Sequence, residues 1–338
     1  MSLSSNDKIV LTLLTFGILI MISVLLFFNS NTVPITTPVK APIVTHMVPS
    51  MAPSMAPSVH IIHTSGDIEK TFKEDYTKYT KNNKNIGKYD IQTYNPLIKQ
   101  SDNLSSSCNL IAKNIQDLYD NYDVFIVVCS SDILAYIASS LSFMLENLSK
   151  PVVFTSKNIL QTLISSSNTK IPEVMVFSQD KLLRACRVTN MGKDVYISPK
   201  FRHLDSTNSL QPSSGTLQVK TFNPQLQIVT VNENYLNSVG DNKLDGIIIE
   251  SNNSALLAQN SLDIITNLIK KGTIVVVITK DQQKLDKRLS DIGVIYGGDM
   301  IPSACSAKLN FLLSNVEDKK LIGQLMEKSF RGEISNTV

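Results

Sequence analysis

The sequence contains no tryptophan and is poor in aromatic residues (7%) and charged residues (18%). Its 32 basic and 29 acidic residues leave a net charge of +3, and no run of Lys or Arg is dense enough to form a basic stripe. This balance argues against nucleic acid as a partner. Hydrophobic residues make up 43% of the 338 positions, which excludes disorder throughout and supports a sizeable core in roughly two domains.

Cysteine and histidine are also scarce, with four of each, and their spacing matches no metal-binding motif. We therefore predict no metal and no cofactor. Scattered buried thiols are one interpretation of the cysteines, and disulfides formed in an oxidising compartment are the other. The cysteines are Cys108, Cys129, Cys186 and Cys305, and the histidines are His46, His60, His63 and His203.

The longest apolar run covers residues 9–28 (IVLTLLTFGILIMISVLLFF) and contains no charge. At 1.5 Å per residue, a helix of this length crosses the roughly 30 Å hydrocarbon core of a bilayer. A cleaved signal peptide is the alternative, but its apolar stretch is usually shorter, and no small-residue cleavage site follows Phe28. We predict a single transmembrane helix over residues 9–28, preceded by a short tail over residues 1–8.

The charges around this run predict its orientation. Lys8 lies before it, whereas no Lys or Arg follows until Lys40, so the positive-inside rule places the N-terminus in the cytoplasm and the globular part on the other side of the membrane. Three Asn-x-Ser triplets, at Asn103, Asn147 and Asn252, match the glycosylation pattern, although such triplets also arise by chance in an Asn- and Ser-rich chain.

Residues 29–58 are rich in proline, are uncharged except for Lys40, and contain the repeat PSMAPSMAPS. Proline fixes φ and removes a backbone donor, so this composition predicts an extended stalk. A ligand for a proline-reading domain is the alternative, but the segment lacks a clear P-x-x-P core with a flanking arginine.

Beyond the stalk, compact apolar runs alternate with stretches of helical periodicity, which predicts parallel strands covered by helices on both faces. A loop-rich stretch over residues 198–215 divides the pattern, so we predict one α/β domain over residues 59–205 and a second over 206–338. The predicted strands are residues 59–63, 123–129, 151–155, 172–177, 246–250 and 273–279; the predicted helices are 108–122, 134–148, 255–271, 283–292 and 302–314.

Ligands of parallel sheets bind beyond the carboxyl ends of the strands, so the polar residues after each apolar run are candidates for a site. These segments are residues 64–67 (TSGD), 130–132 (SSD) and 155–157 (TSK). Ordinary turn and helix-capping chemistry is the alternative, because Ser, Asp and Gly serve both purposes.

Four segments together resemble the bacterial-type L-asparaginases: HTSGDI at 63–68, VVCSSDILAYIASSLSFMLENLSKPVVFT at 127–155, PEVMVFSQDKLLRACR at 172–187 and GVIYGGDMIPSACSAKLNFLL at 293–313. The resemblance implies a larger N-terminal domain with a flavodoxin-like parallel sheet, a smaller C-terminal α/β domain, and assembly into dimers or tetramers. It also implies L-asparagine or a related amino acid as ligand. In this family a threonine attacks the side-chain amide of asparagine, which releases ammonia and aspartate.

The resemblance assigns roles residue by residue. The family motif T-G-G-T-I reads TSGDI at residues 64–68, which places Asp67 at the position of the nucleophilic threonine. In the same segment, Thr64 is a substrate-binding candidate. The second motif, H-G-T-D-T, reads CSSDI, which retains Ser131 and Asp132, and the family lysine is assigned to Lys150. A substrate-gripping loop aligns with residues 99–103, which puts Gln100 and Ser101 in substrate-binding positions.

Further departures fall in the same functional segments. The family motif G-S-Q reads TSK at 155–157, and a glycine-rich loop reads ESNNSAL at 250–256 without its glycines. We therefore predict a membrane-anchored, catalytically impaired member of the family that serves as a binding or structural module. The alternative is an active amidohydrolase that uses Ser131, Asp132 and Lys150; an amino-acid sensor or an unrelated protein-binding surface is a third interpretation.

Overall fold

The computed structural model describes residues 57–64, 74, 76–78, 89–93, 103–198, 203–211, 213–240, 243–251, 259–279 and 285–335. All of them belong to one compact unit, Ser54–Val338. The predicted tail, the predicted membrane helix and all but the last two residues of the predicted stalk lie outside the described residues. Within the described part of the chain, no helix has the length and apolar character needed to cross a bilayer.

The first sheet has six strands in the order β2-β1-β3-β5-β6-β7. The first five pair in parallel, as the alternation of apolar runs and helices predicts, whereas β7 runs antiparallel to β6. This hairpin turns at Gln179 and Asp180, both with positive φ, a conformation typical of two-residue hairpin loops. The strands are β1 (Val59–His63), β2 (Tyr89–Thr93), β3 (Val124–Val128), β5 (Val152–Thr155), β6 (Val174–Ser178) and β7 (Lys181–Arg184).

The helices that accompany this sheet include α1 (Leu104–Leu118), α2 (Ser131–Met144) and α3 (Ile159–Ser167). Helix α1 begins four residues earlier than predicted, because the side chain of Asn103 accepts the backbone N–H groups of Ser105 and Ser106 and so caps the helix. Helix α2 begins three residues earlier than predicted, almost directly after β3. This early start brings the α2 N-terminus to the carboxyl edge of the sheet.

The second sheet has four parallel strands in the order β11-β12-β13-β14. Its strands are β11 (Ile228–Asn232), β12 (Gly246–Ser251), β13 (Ile274–Thr279) and β14 (Ile295–Tyr296). Its helices are α4 (Gln259–Lys270), α5 (Lys287–Asp291), α6 (Pro302–Asn315) and α7 (Lys319–Met326). Short elements complete the fold: strands β4 (Leu145–Glu146), β8 (Thr189–Asn190), β9 (Tyr196–Ile197) and β10 (Gln218–Val219), and 3₁₀ helices at Ala185–Arg187 and Glu233–Val239.

One hydrophobic cluster joins the two sheets. It contains residues of β3 and β5 from the first sheet and of β12 and β13 from the second, together with buried side chains of α2 and α6. Phe143 of α2 faces Phe311 of α6 with the ring centroids 6.2 Å apart. The α/β architecture is therefore confirmed, and the predicted division after residue 205 stays a prediction.

The chain enters the first sheet at its amino edge, where Ser58 is bound to Asp123. The backbone N–H and the hydroxyl of Ser58 each donate to Asp123 Oδ2 over 2.8 Å, and the N–H of Asp123 donates back to the Ser58 carbonyl over 2.9 Å. These bonds hold the start of β1 beside the start of β3.

The cysteines and two of the Asn-x-Ser triplets have structural roles. All four cysteines are buried free thiols, and burial raises the pKa of Cys108 to about 12. Asn103 Nδ2 donates to the Pro224 carbonyl over 2.7 Å, and Asn147 Nδ2 donates to the Thr216 carbonyl over 3.2 Å. Because a glycan would be attached at these nitrogens, the folded structure favours the chance interpretation of both triplets; Asn252 lies outside the described residues.

Candidate functional site

The carboxyl edge of the first sheet brings together the ends of β1, β3 and β5, as the parallel order requires. Thr64 follows β1 and is buried, with its hydroxyl donating to the Val128 carbonyl over 3.0 Å. The backbone N–H of Cys129, after β3, donates to the Thr155 carbonyl over 3.1 Å. Thr64 thus lies at the predicted edge, but its hydroxyl is used to join β1 to β3.

Ser131 and Asp132 form the first turn of α2 at this edge. Asp132 is exposed there, next to the positive end of the helix dipole. The Ser131 carbonyl accepts two hydrogen bonds from the β8–β9 hairpin, from Asn190 Nδ2 over 3.0 Å and from the Tyr196 hydroxyl over 3.2 Å. The hairpin is therefore fastened over the N-terminus of α2.

Asp194, in the loop of this hairpin, is the centre of a polar cluster that sequence reasoning missed. Its carboxylate forms an ion pair with Lys157 and accepts hydrogen bonds from the hydroxyls of Ser131 and Ser156. The hydrogen bond from Lys157 outweighs partial burial and, with those of the two serines, lowers the pKa of Asp194 below its usual range. The cluster thus joins three segments at the carboxyl edge: the start of α2, the end of β5 and the β8–β9 hairpin.

Lys150 does not join this cluster, which corrects its expected role beside Ser131. The register pairs Phe125 with Val152 and Val128 with Thr155, so Lys150 precedes β5 at the amino edge of the sheet. Ser131 lies beyond the opposite end of β3. At about 3.3 Å per residue, the four-residue strand alone separates the two edges by roughly 13 Å. A direct Lys150–Ser131 relay is therefore wrong.

Lys150 instead supports the fold at the amino edge. Its ammonium donates to the carbonyls of Tyr119 and Tyr122, the latter over 2.8 Å, and lies 4.8 Å from the centre of the Tyr119 ring. These contacts tie the start of β5 to the end of α1.

We predict that Lys150→Met lowers the free energy of unfolding by about 1–3 kcal/mol, because two carbonyls lose a charged donor. Ligand binding at the carboxyl edge should be unchanged. Denaturant unfolding and calorimetric titration measure the two effects, with the exposed Lys170→Met as a control that changes neither. Loss of binding without loss of stability would contradict the position of Lys150.

Three other predicted site residues, Asp67, Gln100 and Ser101, lie outside the described residues, so their roles stay predictions. Asn103, which follows them, is the cap of α1. The sequence signal that could have revealed the loop of Asp194 is local, because a Gly among polar residues between two short apolar runs is typical of a hairpin loop. In the structure, Gly192, Lys193 and Asp194 all have positive φ.

Comparison with known proteins defines the class. A family model described as "Asparaginase, N-terminal" matches residues 58–209. L-asparaginase 1 of Escherichia coli (strain K12) is 30% identical over 287 residues, which cover 73% of this chain and 85% of the relative. The crystal structure of L-asparaginase I from Vibrio cholerae superposes with a TM-score of 0.72 at 27% identity, over 82% of this chain and 99% of the other.

The chain belongs to the asparaginase family. A further relative carries a different name: the 60 kDa lysophospholipase of Mus musculus is 27% identical over 301 residues, which cover 73% of this chain and 51% of that protein. The family and its α/β fold, expected from the sequence motifs, are therefore confirmed.

Proposed function

We propose that this chain is a catalytically impaired member of the asparaginase family that binds an amino-acid ligand at the carboxyl edge of its first sheet. The observation that carries the proposal is the position of Lys150. Its ammonium is bound to carbonyls at the amino edge, so it does not activate a hydroxyl at Ser131. This supports impairment, because Lys150 and Ser131, which the family resemblance assigns to one relay, lie at opposite ends of the sheet.

The chemistry of the remaining groups supports the same conclusion. The family resemblance places Asp67 at the position of the nucleophile, where a carboxylate attacking an amide would form an anhydride and its charge would repel a substrate carboxylate. Asp194 accepts a hydrogen bond from Ser131 but has a lowered pKa. A carboxylate with a depressed pKa is a weak base towards a serine hydroxyl.

The second candidate function is an active amidohydrolase that releases aspartate and ammonia through Ser131 and Asp132. It is favoured by the 30% identity to a relative named L-asparaginase 1. In this case the base for Ser131 would be Asp194 rather than Lys150.

Ammonia release from L-asparagine and L-glutamine distinguishes the two functions. We expect the full-length protein, purified in a mild detergent, to release no ammonia above the buffer background while binding L-aspartate or L-asparagine in calorimetric titration. Asp67→Thr is the companion variant, because it restores the hydroxyl of the family motif. Turnover by the parent protein at rates typical of enzymes, about 1–10³ s⁻¹, would overturn the proposal.

We also propose that residues 9–28 anchor the chain in a membrane with the N-terminus in the cytoplasm, that residues 29–58 form a stalk, and that the globular part assembles as a dimer or tetramer. The apolar run, the Lys8 asymmetry and the family resemblance support these points. Carbonate extraction of membranes tests the anchor, and protease protection in sealed vesicles tests the orientation. Release of the full-length protein by carbonate would exclude the anchor.

A further inference from the structure

The β8–β9 hairpin places the carboxylate of Asp194 against three hydrogen-bond donors that could also bind an anionic ligand. Asp194 receives the ammonium of Lys157 and the hydroxyls of Ser131 and Ser156, and these three donors come from two different segments of the sheet edge. The side chain of Asp194 is 15% exposed, whereas that of Lys157 is 65% exposed. The donors are thus satisfied by the protein's own carboxylate, while the lysine remains open to solvent.

The tip of the hairpin, residues 191–195, holds three consecutive residues in the left-handed region of φ. Gly192, Lys193 and Asp194 have φ values of +87°, +51° and +59°. A lysine adopts this left-handed conformation only at a cost. The tip is closed by two backbone bonds, from the Met191 N–H to the Val195 carbonyl over 2.8 Å and from the Val195 N–H to the Gly192 carbonyl over 3.0 Å.

The base of the hairpin is bound to α2 and β6 by contacts that do not involve the Asp194 side chain. Asn190 and Tyr196 donate to the Ser131 carbonyl, and the Tyr196 N–H donates to the Ser178 hydroxyl over 3.0 Å. A further bond joins the base to the tip, from the Gly192 N–H to Asn190 Oδ1 over 2.8 Å. Displacing the tip therefore has to break this bond and the two backbone bonds of the tip, and it releases the left-handed residues, while the bonds of the base to α2 can stay formed.

We propose that Asp194 is the internal occupant of an anion-binding site formed by Ser131, Ser156 and Lys157, and that a small carboxylate ligand binds there by displacing the tip of the hairpin. The inference rests on the proposed function, since it names the ligand class and the control of the same edge. The N-terminus of α2 adds to the attraction for an anion, because Ser130 makes no side-chain cap to its first turn. Asp132, in the same turn, opposes it.

The test is calorimetric titration of the full-length protein with L-aspartate. Asp194→Asn removes the competing charge and keeps a residue that tolerates positive φ, so Lys157 is left open to the ligand. We expect the dissociation constant to fall by about tenfold or more, as it would if the closed tip were populated about 90% of the time. Adding Lys157→Met to Asp194→Asn should abolish this gain.

Asp180→Asn is the matched control. Asp180 also has a positive φ, of +58°, in the loop of the β6–β7 hairpin, and its substitution makes the same chemical change. It should leave the affinity for L-aspartate unchanged.

Hydrogen exchange tests the displacement itself. In the parent protein, saturating L-aspartate should speed the exchange of the Met191 and Val195 amides, because both lose their partners when the tip opens. The inference is overturned if Asp194→Asn binds no more tightly than the parent, if the double variant keeps the gain, or if these amides exchange more slowly with ligand bound. Ammonia release and ligand binding by the parent protein decide the proposed function, whereas the variants and the exchange of these two amides decide the inference, so the two failures are distinguishable.

Discussion

Replacing Lys308 with methionine is expected to lower the free energy of unfolding by about 3–5 kcal/mol, the usual cost of removing one partner of a buried ion pair. The Lys308 ammonium in α6 lies 2.7 Å from Glu333 Oε1, and both side chains are 0% exposed. It also donates to the Met326 carbonyl over 2.9 Å. Without Lys308, the Glu333 charge stays buried with backbone donors as its main compensation. Denaturant unfolding of the two proteins gives the difference.

Lys113→Met is the control for this change. Lys113 forms an exposed pair with Asp117 one turn along α1, with side-chain exposures of 68% and 55%. Such a pair contributes about 0–1 kcal/mol, so the same substitution should have little effect there. An equal loss in the free energy of unfolding for the two variants would show that the buried pair contributes no more to stability than the exposed pair.

The cost of Lys308→Met should also depend on pH. Burial acts to raise the pKa of the Glu333 carboxyl, but Lys308 and the N–H groups of Arg331 and Phe330 outweigh it and hold the pKa below its usual range. In the parent, the stabilisation that follows from this lowered pKa is fully present above the pKa of Glu in the unfolded chain, about 4.3. It is lost as the pH falls through the lower pKa of Glu333 in the folded protein. Without Lys308 the pKa should rise, so that protonation relieves the buried charge. We expect a smaller stability difference at pH 5 than at pH 7.

The second large effect is expected at Gly297, directly after β14. A Cβ at this position would lie 2.6 Å from Ile278 Cγ2 and 3.0 Å from Val276 Cγ1. Both neighbours are buried β-branched residues of the central strand β13, and their side chains have little rotational freedom. Gly297→Ala should therefore lower the free energy of unfolding by about 1–3 kcal/mol, the usual cost of overpacking a core.

Gly323→Ala is the matched substitution, and it is expected to raise the free energy of unfolding rather than lower it. Gly323 lies within α7, and its added Cβ would be 3.5 Å from Ile295 Cδ1, an ordinary contact distance. Because alanine is the better helix former, we expect a gain of about 0.5–1 kcal/mol. Thermal unfolding of both variants measures the pair; a loss at Gly323 would mean that α7 does not tolerate even one methyl group.

Most of the fold could be predicted from the sequence because its strands are compact apolar runs. The runs that became β3, β5 and β13 are buried along their whole length, and their order along the chain requires parallel pairing. The antiparallel β7 was missed because its pattern, KLLR, is short and only one of its four residues is fully buried. Its direction depends on the turn at Gln179 and Asp180 rather than on periodicity.

The candidate site was less predictable, for two physical reasons. Family resemblance groups Lys150 with Ser131, although a residue that precedes a parallel strand lies at the amino edge and one that follows a strand lies at the carboxyl edge. Asp194 contacts Ser131 across 63 positions of sequence, through a hairpin whose strands have only two residues each. No periodicity signals so short an element.

The bonds between Ser58 and Asp123 lie at the amino edge of the first sheet, at the end of β1 opposite the Asp194 cluster. A pulling force applied to the chain ahead of Pro57 would therefore act first on these bonds and on the pairing of β1 with its neighbours. The β8–β9 hairpin belongs to a separate two-stranded sheet and would not carry that force directly.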